Sequence, residues 1–78
     1  MTEQQIRKYD SLASRILLLS PSGSKQAQMA IEIMQNIEEW DEGKINRWIG
    51  YAQCLQVACG EQTLEETKDA TRIILNAT

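Results

Sequence analysis

A helix that is apolar around almost its whole circumference is predicted by residues 41–60, which read DEGKINRWIGYAQCLQVACG. Asp41 is suited to cap the N-terminus, and Glu42 in the first turn suits the positive end of the helix dipole. Gly60 stands where a left-handed residue would end the helix, so its span is expected to be about Glu42 to Cys59. A surface helix has one apolar stripe, so this helix is expected to be central or shared between subunits.

Three further segments have helical periodicity. They are expected to end near Leu19, Glu39 and Asn76. Thr2 and Ser24 are the predicted N-caps of the first two, since a hydroxyl there accepts a hydrogen bond from the first turn. Thr63 and Glu66 form a capping box at the start of the last helix, because each side chain can bond to the other's backbone amide.

In the first two helices, apolar residues recur at the spacing that places them on one side of a helix, and these sides are expected to be buried. In the first helix the stripe is Ile6, Tyr9, Leu12, Ala13, Ile16 and Leu17. In the second it is Ala27, Ala30, Ile31, Met34 and Ile37. Met29, Ile33 and Trp40 lie on other sides, so more than one face of this helix is expected to be covered. No segment alternates long enough to predict a strand. The predicted fold is an all-α bundle of three to four helices, three long and a shorter C-terminal one.

A length of 78 residues has room for one domain, residues 1–78, and only a small core. A chain of this size buries roughly 60% of the surface that its unfolded form exposes, so self-association is a natural supplement. We therefore expect a homo-oligomer that forms through the second and third helices. The predicted interface residues are Trp40, Trp48, Gly50, Tyr51, Gln53 and Leu55.

Composition excludes several kinds of active site. Without histidine there is no Ser-His-Asp triad and no His zinc site, and two cysteines cannot form a four-thiolate site. The sequence therefore predicts no catalytic residue, no metal and no cofactor. Cys54 and Cys59 are about 140° apart on a helix, which disfavours a mutual disulfide and favours two buried, reduced thiols.

The charge and hydropathy of the sequence indicate which partners and which cellular compartment to expect. A net charge of −3 with eight Lys and Arg disfavours duplex DNA, which needs a basic face. The longest apolar run, Ile16 to Leu19, is far shorter than the roughly 20 residues of a membrane span. The N-terminus is polar, so no signal peptide is expected, and the predicted location is the cytoplasm.

The third helix and the segment after it resemble small phage-encoded proteins. The matching residues are Lys44 to Gln53, read KINRWIGYAQ, then Leu55, Gly60, Thr63, Leu64, Glu66, Lys68, Asp69, Thr71 and Arg72. Those proteins read approximately R-W-[IL]-G-[FY]-x-Q and then G. The resemblance implies a phage origin, with the host cytoplasm as the place of action. Read physically, Gly50 would let a second helix approach closely, with Arg47 and Gln53 as polar groups at that contact; a simple packing seam is the alternative.

A second resemblance is to the helical hairpin of phage sponges that sequester cyclic-nucleotide immune signals. It is carried by Gln28 to Ile31, Met34, Trp40, Ile45 and Arg47. The resemblance implies an oligomer that holds a cyclic nucleotide between subunits. Tyr9 would then stack on a base while Lys25, Arg47 or Lys8 contacts a phosphate. The alternative for Tyr9 is an ordinary place in the core.

The acidic residues allow an enzymatic alternative. Glu38-Glu39-Trp40-Asp41-Glu42 and Glu66-Thr67-Lys68-Asp69 look like elements of the all-α nucleoside triphosphate pyrophosphohydrolases, which hold Mg²⁺ with carboxylates. This alternative requires five carboxylates to converge in space, those of Glu38, Glu39, Glu42, Glu66 and Asp69. Solvated helix ends are the other explanation for these charges.

The function favoured by the sequence is binding rather than catalysis. We expect a phage-encoded accessory or counter-defence protein that captures a host defence protein or a cyclic-nucleotide signal stoichiometrically. The alternative is the Mg²⁺-dependent pyrophosphohydrolase described above.

Overall fold

The computed structural model of the protein describes residues 1–76, and that part of the chain forms four α-helices without a strand. They are α1 (Glu3–Leu19), α2 (Lys25–Gln35), α3 (Glu42–Ala58) and α4 (Leu64–Asn76). The described residues occupy a body of 33 × 24 × 18 Å. The prediction of an all-α fold is confirmed.

The predicted N-caps of the first three helices are present. The Gln5 amide donates to Thr2 Oγ1 at 3.2 Å, and the Thr2 amide donates to Gln5 Oε1 at 2.8 Å. Ser24 Oγ and Asp41 Oδ1 accept hydrogen bonds from amides in the first turns of α2 and α3. Each bond satisfies a donor that the helix itself leaves free, so these local signals fix where the helices begin.

Both signals around the α3–α4 turn are also confirmed. Gly60 has φ +76°, the left-handed conformation expected after a helix end. The Thr63 amide donates to Glu66 Oε1 at 3.0 Å, and the Glu66 amide donates to Thr63 Oγ1 at 3.1 Å. The turn therefore lies where the sequence places it.

The core forms around α1, which packs against each of the other three helices. Its buried members are Tyr9, Leu12, Ala13 and Ile16 of α1, Ala30 and Ile33 of α2, and Ile45, Ile49 and Ala52 of α3. Of the two alternatives for α3, a central position is wrong, because α3 buries one side against α1 and α2 and leaves Tyr51, Cys54 and Ala58 exposed.

The second helix is shorter than predicted. It ends at Gln35, not near Glu39, which makes it the shortest helix with 11 residues against 13 in α4. Asn36 leaves helical geometry at φ −114° and ψ 18°, and its side-chain amide donates to the Glu32 carbonyl at 2.9 Å. An asparagine that bonds the backbone in this way competes with helix continuation.

The predicted buried face of α2 is also partly wrong. Ile31 is 40% exposed, contrary to its expected place on the buried stripe. Ile33, on another side of the helix, is fully buried, so more than one face is covered, as predicted. Gln26 is also buried, although it is polar and was not among the expected buried residues.

Hydrogen bonds from glutamine side chains link the C-terminal end of α3 to the C-terminal end of α1. Gln56, with no exposed surface, donates to the Ile16 carbonyl at 2.8 Å and to Ser20 Oγ at 2.9 Å. Gln62 donates to Gln56 Oε1 and accepts from Arg15 Nη1 at 2.7 Å. The polar groups in this part of the interior are thus paired, which makes their burial tolerable.

Candidate functional site

A groove of about 600 Å³ lies between α3 and α4. Its α3 wall is formed by Gly50, Gln53, Cys54 and Val57, and its α4 wall by residues between Leu64 and Asn76. We call it the α3–α4 groove. Its volume falls within the roughly 300–1,000 Å³ that is usual for ligand sites.

The groove exists because α4 packs mainly against α1 and makes few contacts with α3. Lys8 Nζ donates to the Leu75 carbonyl at 3.1 Å, which holds the last turn of α4 against α1. At the base of the groove, the buried Gln53 donates from Nε2 to Thr71 Oγ1 at 2.8 Å. This side-chain hydrogen bond joins α3 to α4, and the space beside it stays open.

The walls of the groove are mainly apolar. Leu64 is 55% exposed, and Val57 and Leu75 are half-buried. A Cβ atom at Gly50 would meet nothing within 4 Å, so the groove is open at this end of its α3 wall. An aliphatic surface that stays exposed in this way gains free energy when a partner covers it.

The charges on the groove have one sign. Among the described residues that line it, the charged side chains are Lys68 and Arg72, one helical turn apart on α4. Arg72 Nη2 is 3.1 Å from Asp69 Oδ1 in an exposed pair, which contributes little. The groove therefore has a cationic rim on a protein whose net charge is −3.

A smaller hollow of about 360 Å³ lies between α2 and α3. It is lined by Lys25, Met29, Tyr51, Cys54 and Leu55. We call it the α2–α3 hollow. Cys54 borders both this hollow and the α3–α4 groove, so the exposed side of α3 connects two apolar surfaces.

Tyr9, expected to stack on a base, is 4% exposed and belongs to the core. Its hydroxyl donates to Glu42 Oε1 at 3.0 Å and accepts from Asn46 Nδ2 at 2.9 Å. Burial raises the pKa of the Tyr9 hydroxyl; the Asn46 bond opposes that shift and the Glu42 carboxylate adds to it. With its ring covered, Tyr9 connects α1 to α3 and offers no face to a base.

Of the three cations expected to contact a phosphate, Lys8 donates to the Leu75 carbonyl, and the other two do not share a pocket with Tyr9. Lys25 lines the α2–α3 hollow, whereas Arg47 is exposed on α3 outside both concave surfaces. A Cβ atom at Gly43 would lie 3.6 Å from Arg47 Nη1, so this guanidinium lies along the first turns of its own helix. The structure thus distributes the predicted contact set over separate places.

The two tryptophans predicted at the interface pack on each other. The ring centroids of Trp40 and Trp48 are 4.8 Å apart at an interplanar angle of 52°. Lys44 Nζ lies 4.2 Å from the Trp40 ring centroid, a cation–π contact. Both rings are half-buried against the core, so they anchor the junction between α2 and α3.

The other four predicted interface residues differ in accessibility. Tyr51 is 58% exposed, Leu55 is half-buried, and Gly50 faces open space where a close helix approach was expected. Gln53 was predicted as a polar group at that contact, but it is buried and bonded to Thr71. Tyr51 and Gly50 remain available to a partner.

The cysteine prediction is half right. Cys54 and Cys59 are both free, as their helical phase predicts. Both are exposed, so the prediction of buried thiols is wrong. Cys54 lies on the side of α3 that α1 and α2 leave uncovered, and Cys59 follows the last residue of α3 as its C-cap.

The carboxylates do not converge as the pyrophosphohydrolase alternative requires. Within residues 1–76, no group of three or more Asp, Glu or Cys side chains is placed to hold a metal ion. Glu66 instead caps α4, and its bonds to Thr63 lower the pKa of its carboxyl group. Glu42 and Asp69 are engaged by Tyr9 and Arg72 respectively.

Sequence reasoning did not find the α3–α4 groove. The available signal was the spacing of small side chains, Gly50 and Cys54 on α3 and Thr67 and Thr71 on α4, each pair one turn apart. That spacing shows where a helix has a shallow side. Which helix lies opposite, and at what distance, depends on contacts between distant segments.

Comparison with known proteins gives no relative: no family model matches the chain, and no curated protein or solved structure matches it significantly. Across residues 1–76, each helix is too short or too polar to cross a membrane.

Proposed function

We propose that the protein acts by stoichiometric binding and holds a partner protein in the α3–α4 groove. The observation that carries this proposal is the groove itself, apolar along its walls and filled by no side chain of the described chain. Covering such a surface favours association in proportion to the apolar area removed from water.

The groove favours a protein over a nucleotide as its occupant. Stacking on aromatic rings is the usual way to hold a base, and none of the described residues that line the groove is aromatic. The buried ring of Tyr9 supplies no substitute. Of the two targets expected from the sequence, we therefore propose the host protein.

The proposed setting is a phage-encoded protein that blocks a host defence protein in the host cytoplasm. Its support is the resemblance of KINRWIGYAQ, residues 44–53, to small phage-encoded proteins. Arg47 and Tyr51 of that motif are exposed on α3.

We also propose that the chain forms a homodimer through the α2–α3 hollow. Met29 and Leu55 are half-buried and Tyr51 is exposed there, so a second copy would cover the hollow. This surface leaves most of the α3–α4 groove available to the target. A small chain with a limited core gains stability from such an association.

The experiment for target binding is a selection from an unbiased library of displayed peptides. Gly50→Leu would fill the open end of the groove, and it introduces a better helix former in place of glycine. We expect peptides that bind the wild-type protein and lose binding to Gly50→Leu. Ala58→Leu, at an exposed α3 position that does not line the groove, should retain them.

The proposal fails if the selection yields no peptide, or if all selected peptides bind Gly50→Leu as tightly as the wild type. The melting temperature of each variant, measured alongside, confirms that the groove and not the fold has been changed.

A further inference from the structure

We infer that the occupant of the α3–α4 groove is an amphipathic helix with an acidic edge, supplied by a different protein. This inference rests on the proposed binding function and names the chemistry of the partner. Three arguments support it. Both walls of the groove are helices, the charged residues along the groove are cationic, and two copies of this chain would bring those cations together.

The walls favour a helical occupant. Both are sides of α-helices, whose backbone amides and carbonyls are already bonded within α3 and α4. An extended peptide in the groove would bury its own backbone groups without partners, which is costly. A helix satisfies its own backbone and presents only side chains to Val57, Leu64 and Leu75.

The length of the groove sets the size of the contact. From Leu64 to Leu75 the α4 wall extends about 17 Å at the helical rise of about 1.5 Å per residue. Three turns of a partner helix fit along it, with apolar anchors at positions i, i+4 and i+7. The shallow wall at Gly50 and Cys54 lets the backbone of that helix approach α3 closely.

The rim charges favour acidic residues beside those anchors. Lys68 makes no ion pair within residues 1–76, and Arg72 has only its exposed contact with Asp69. No carboxylate among the described residues lines the groove. Acidic side chains one turn apart on the partner would face both cations, and basic ones would be repelled.

The same charges disfavour a second copy of this chain as the occupant. In a two-fold symmetric contact the same surface meets itself. Lys68 and Arg72 would then approach the cations of the other copy, with no carboxylate in the lining to separate them. A partner with acidic residues would face Lys68 and Arg72 without this repulsion.

The test uses two synthetic peptides of about 14 residues, roughly four helical turns, with the same leucine spacing. One has glutamates beside the leucines and the other has lysines. We expect the glutamate peptide to bind the wild-type protein about tenfold more tightly at low salt, since exposed charge pairs are individually modest. Added salt should narrow that difference.

Binding in the groove is read from thiol labelling of Val57→Cys in a Cys54→Ser background. Val57 lines the groove alone, whereas Cys54 borders both the groove and the α2–α3 hollow. Cys59, which is exposed and lines neither surface, serves as the internal reference. The glutamate peptide should slow the alkylation of the thiol at position 57 and leave that of Cys59 unchanged. Labelling of that thiol at its free rate in the presence of bound peptide would show binding elsewhere and overturn the inference.

Charge removal tests the rim directly. The double variant Lys68→Gln/Arg72→Gln should lose the preference for the glutamate peptide. Arg7→Gln should keep it, because Arg7 is an exposed helical arginine in a similar pair with Glu3 on α1. Equal binding of both peptides by the wild type, tighter binding of the lysine peptide, or no binding of either peptide overturns the inference.

These failures are distinct from failure of the proposed function. If the library selection yields groove-dependent peptides that are neutral, basic or not helical, the groove binds a partner and only its inferred chemistry is wrong. If no groove-dependent peptide is found there, the binding function fails as well.

Discussion

At the scale of single residues, the least expected feature is the number of glutamines in the interior. Gln26, Gln53, Gln56 and Gln62 are all buried. Gln26 Nε2 lies 2.8 Å from both carboxylate oxygens of Glu61 and holds the α3–α4 turn against α2. A buried amide is tolerable only when its donors and acceptor are paired, so each of these residues depends on partners elsewhere in the chain.

The first prediction concerns Gln56. Replacement by Leu keeps most of the volume but leaves Gln62 without its acceptor and removes the bonds to Ile16 and Ser20. We expect the free energy of unfolding to fall by about 1–3 kcal/mol, the cost of unsatisfied buried polar groups. Urea denaturation measures this change.

The control for Gln56 is Gln35→Leu, the same substitution at an exposed helical position. Exposed substitutions usually change stability by less than about 0.5 kcal/mol. If Gln56→Leu is as stable as the wild type, the hydrogen bonds of Gln56 do not stabilise the fold.

At the scale of the helices, hydrogen bonds at the helix ends do much to fix where the elements begin. The capping box of α4 satisfies two backbone amides at an exposed helix start, those of Thr63 and Glu66. The backbone and side-chain bonds from Thr63 favour the charged form of Glu66 and lower the pKa of its carboxyl group. The stability of α4 is therefore linked to pH.

The second prediction follows from the direction of that shift. The charge of Glu66 stabilises the folded state above the ordinary pKa of a glutamate, and this contribution is lost as pH falls through the lowered folded-state pKa. Glu66→Gln retains a side-chain acceptor without the charge. We expect the stability difference between wild type and Glu66→Gln to be largest near neutral pH and to vanish in acid.

Thermal unfolding from pH 7 to about pH 3 measures this difference across the range where glutamates titrate. Glu65→Gln is the matched control, an exposed carboxylate in the same first turn with no capping bond in the structure. A pH dependence that is identical for the two variants would contradict the prediction.

The helices also show what a sequence can and cannot predict here. The caps at Thr2, Ser24, Asp41 and Thr63 were predictable because each depends on residues only three positions away. The end of α2 was not, since Ile37 continues the apolar spacing past the true end at Gln35. Periodicity reports an apolar side but not where the chain must turn to reach the next helix.

The candidate site was less predictable than the fold for a related reason. The exposed thiols of Cys54 and Cys59 differ from expectation because burial depends on which helix covers which side. Tyr9 takes the buried place that the α1 stripe predicts, not the base-stacking role that the resemblance implies. The groove depends on α4 leaning on α1 through contacts such as Lys8 to Leu75, which are 67 positions apart. No local pattern encodes such a pairing.

At the scale of the whole molecule, the side of α3 that faces away from the core contributes to two separate concave surfaces. Tyr51 and Leu55 border the α2–α3 hollow, while Gly50 and Val57 line the α3–α4 groove. The division allows self-association and target binding to be tested separately.

The third prediction is that light scattering at high protein concentration gives twice the 8.9 kDa mass of the chain. Tyr51→Glu should return it to the monomer mass, because a charge would have to be buried in the contact. Leu18→Glu, which changes an 85% exposed apolar residue on α1, should leave the dimer intact. A wild-type mass near that of one chain would exclude the proposed dimer.

The sparse burial of α4 has a thermodynamic consequence. Thr67, 7% exposed, is the one buried residue among those described in this helix, and Ile74 and Leu75 are only partly buried against the core. Segments with few buried contacts open at a lower free-energy cost than the rest of a fold. A partner that fills the groove supplies α4 with the apolar neighbours that the chain itself does not, so occupancy and the local order of this helix rise together.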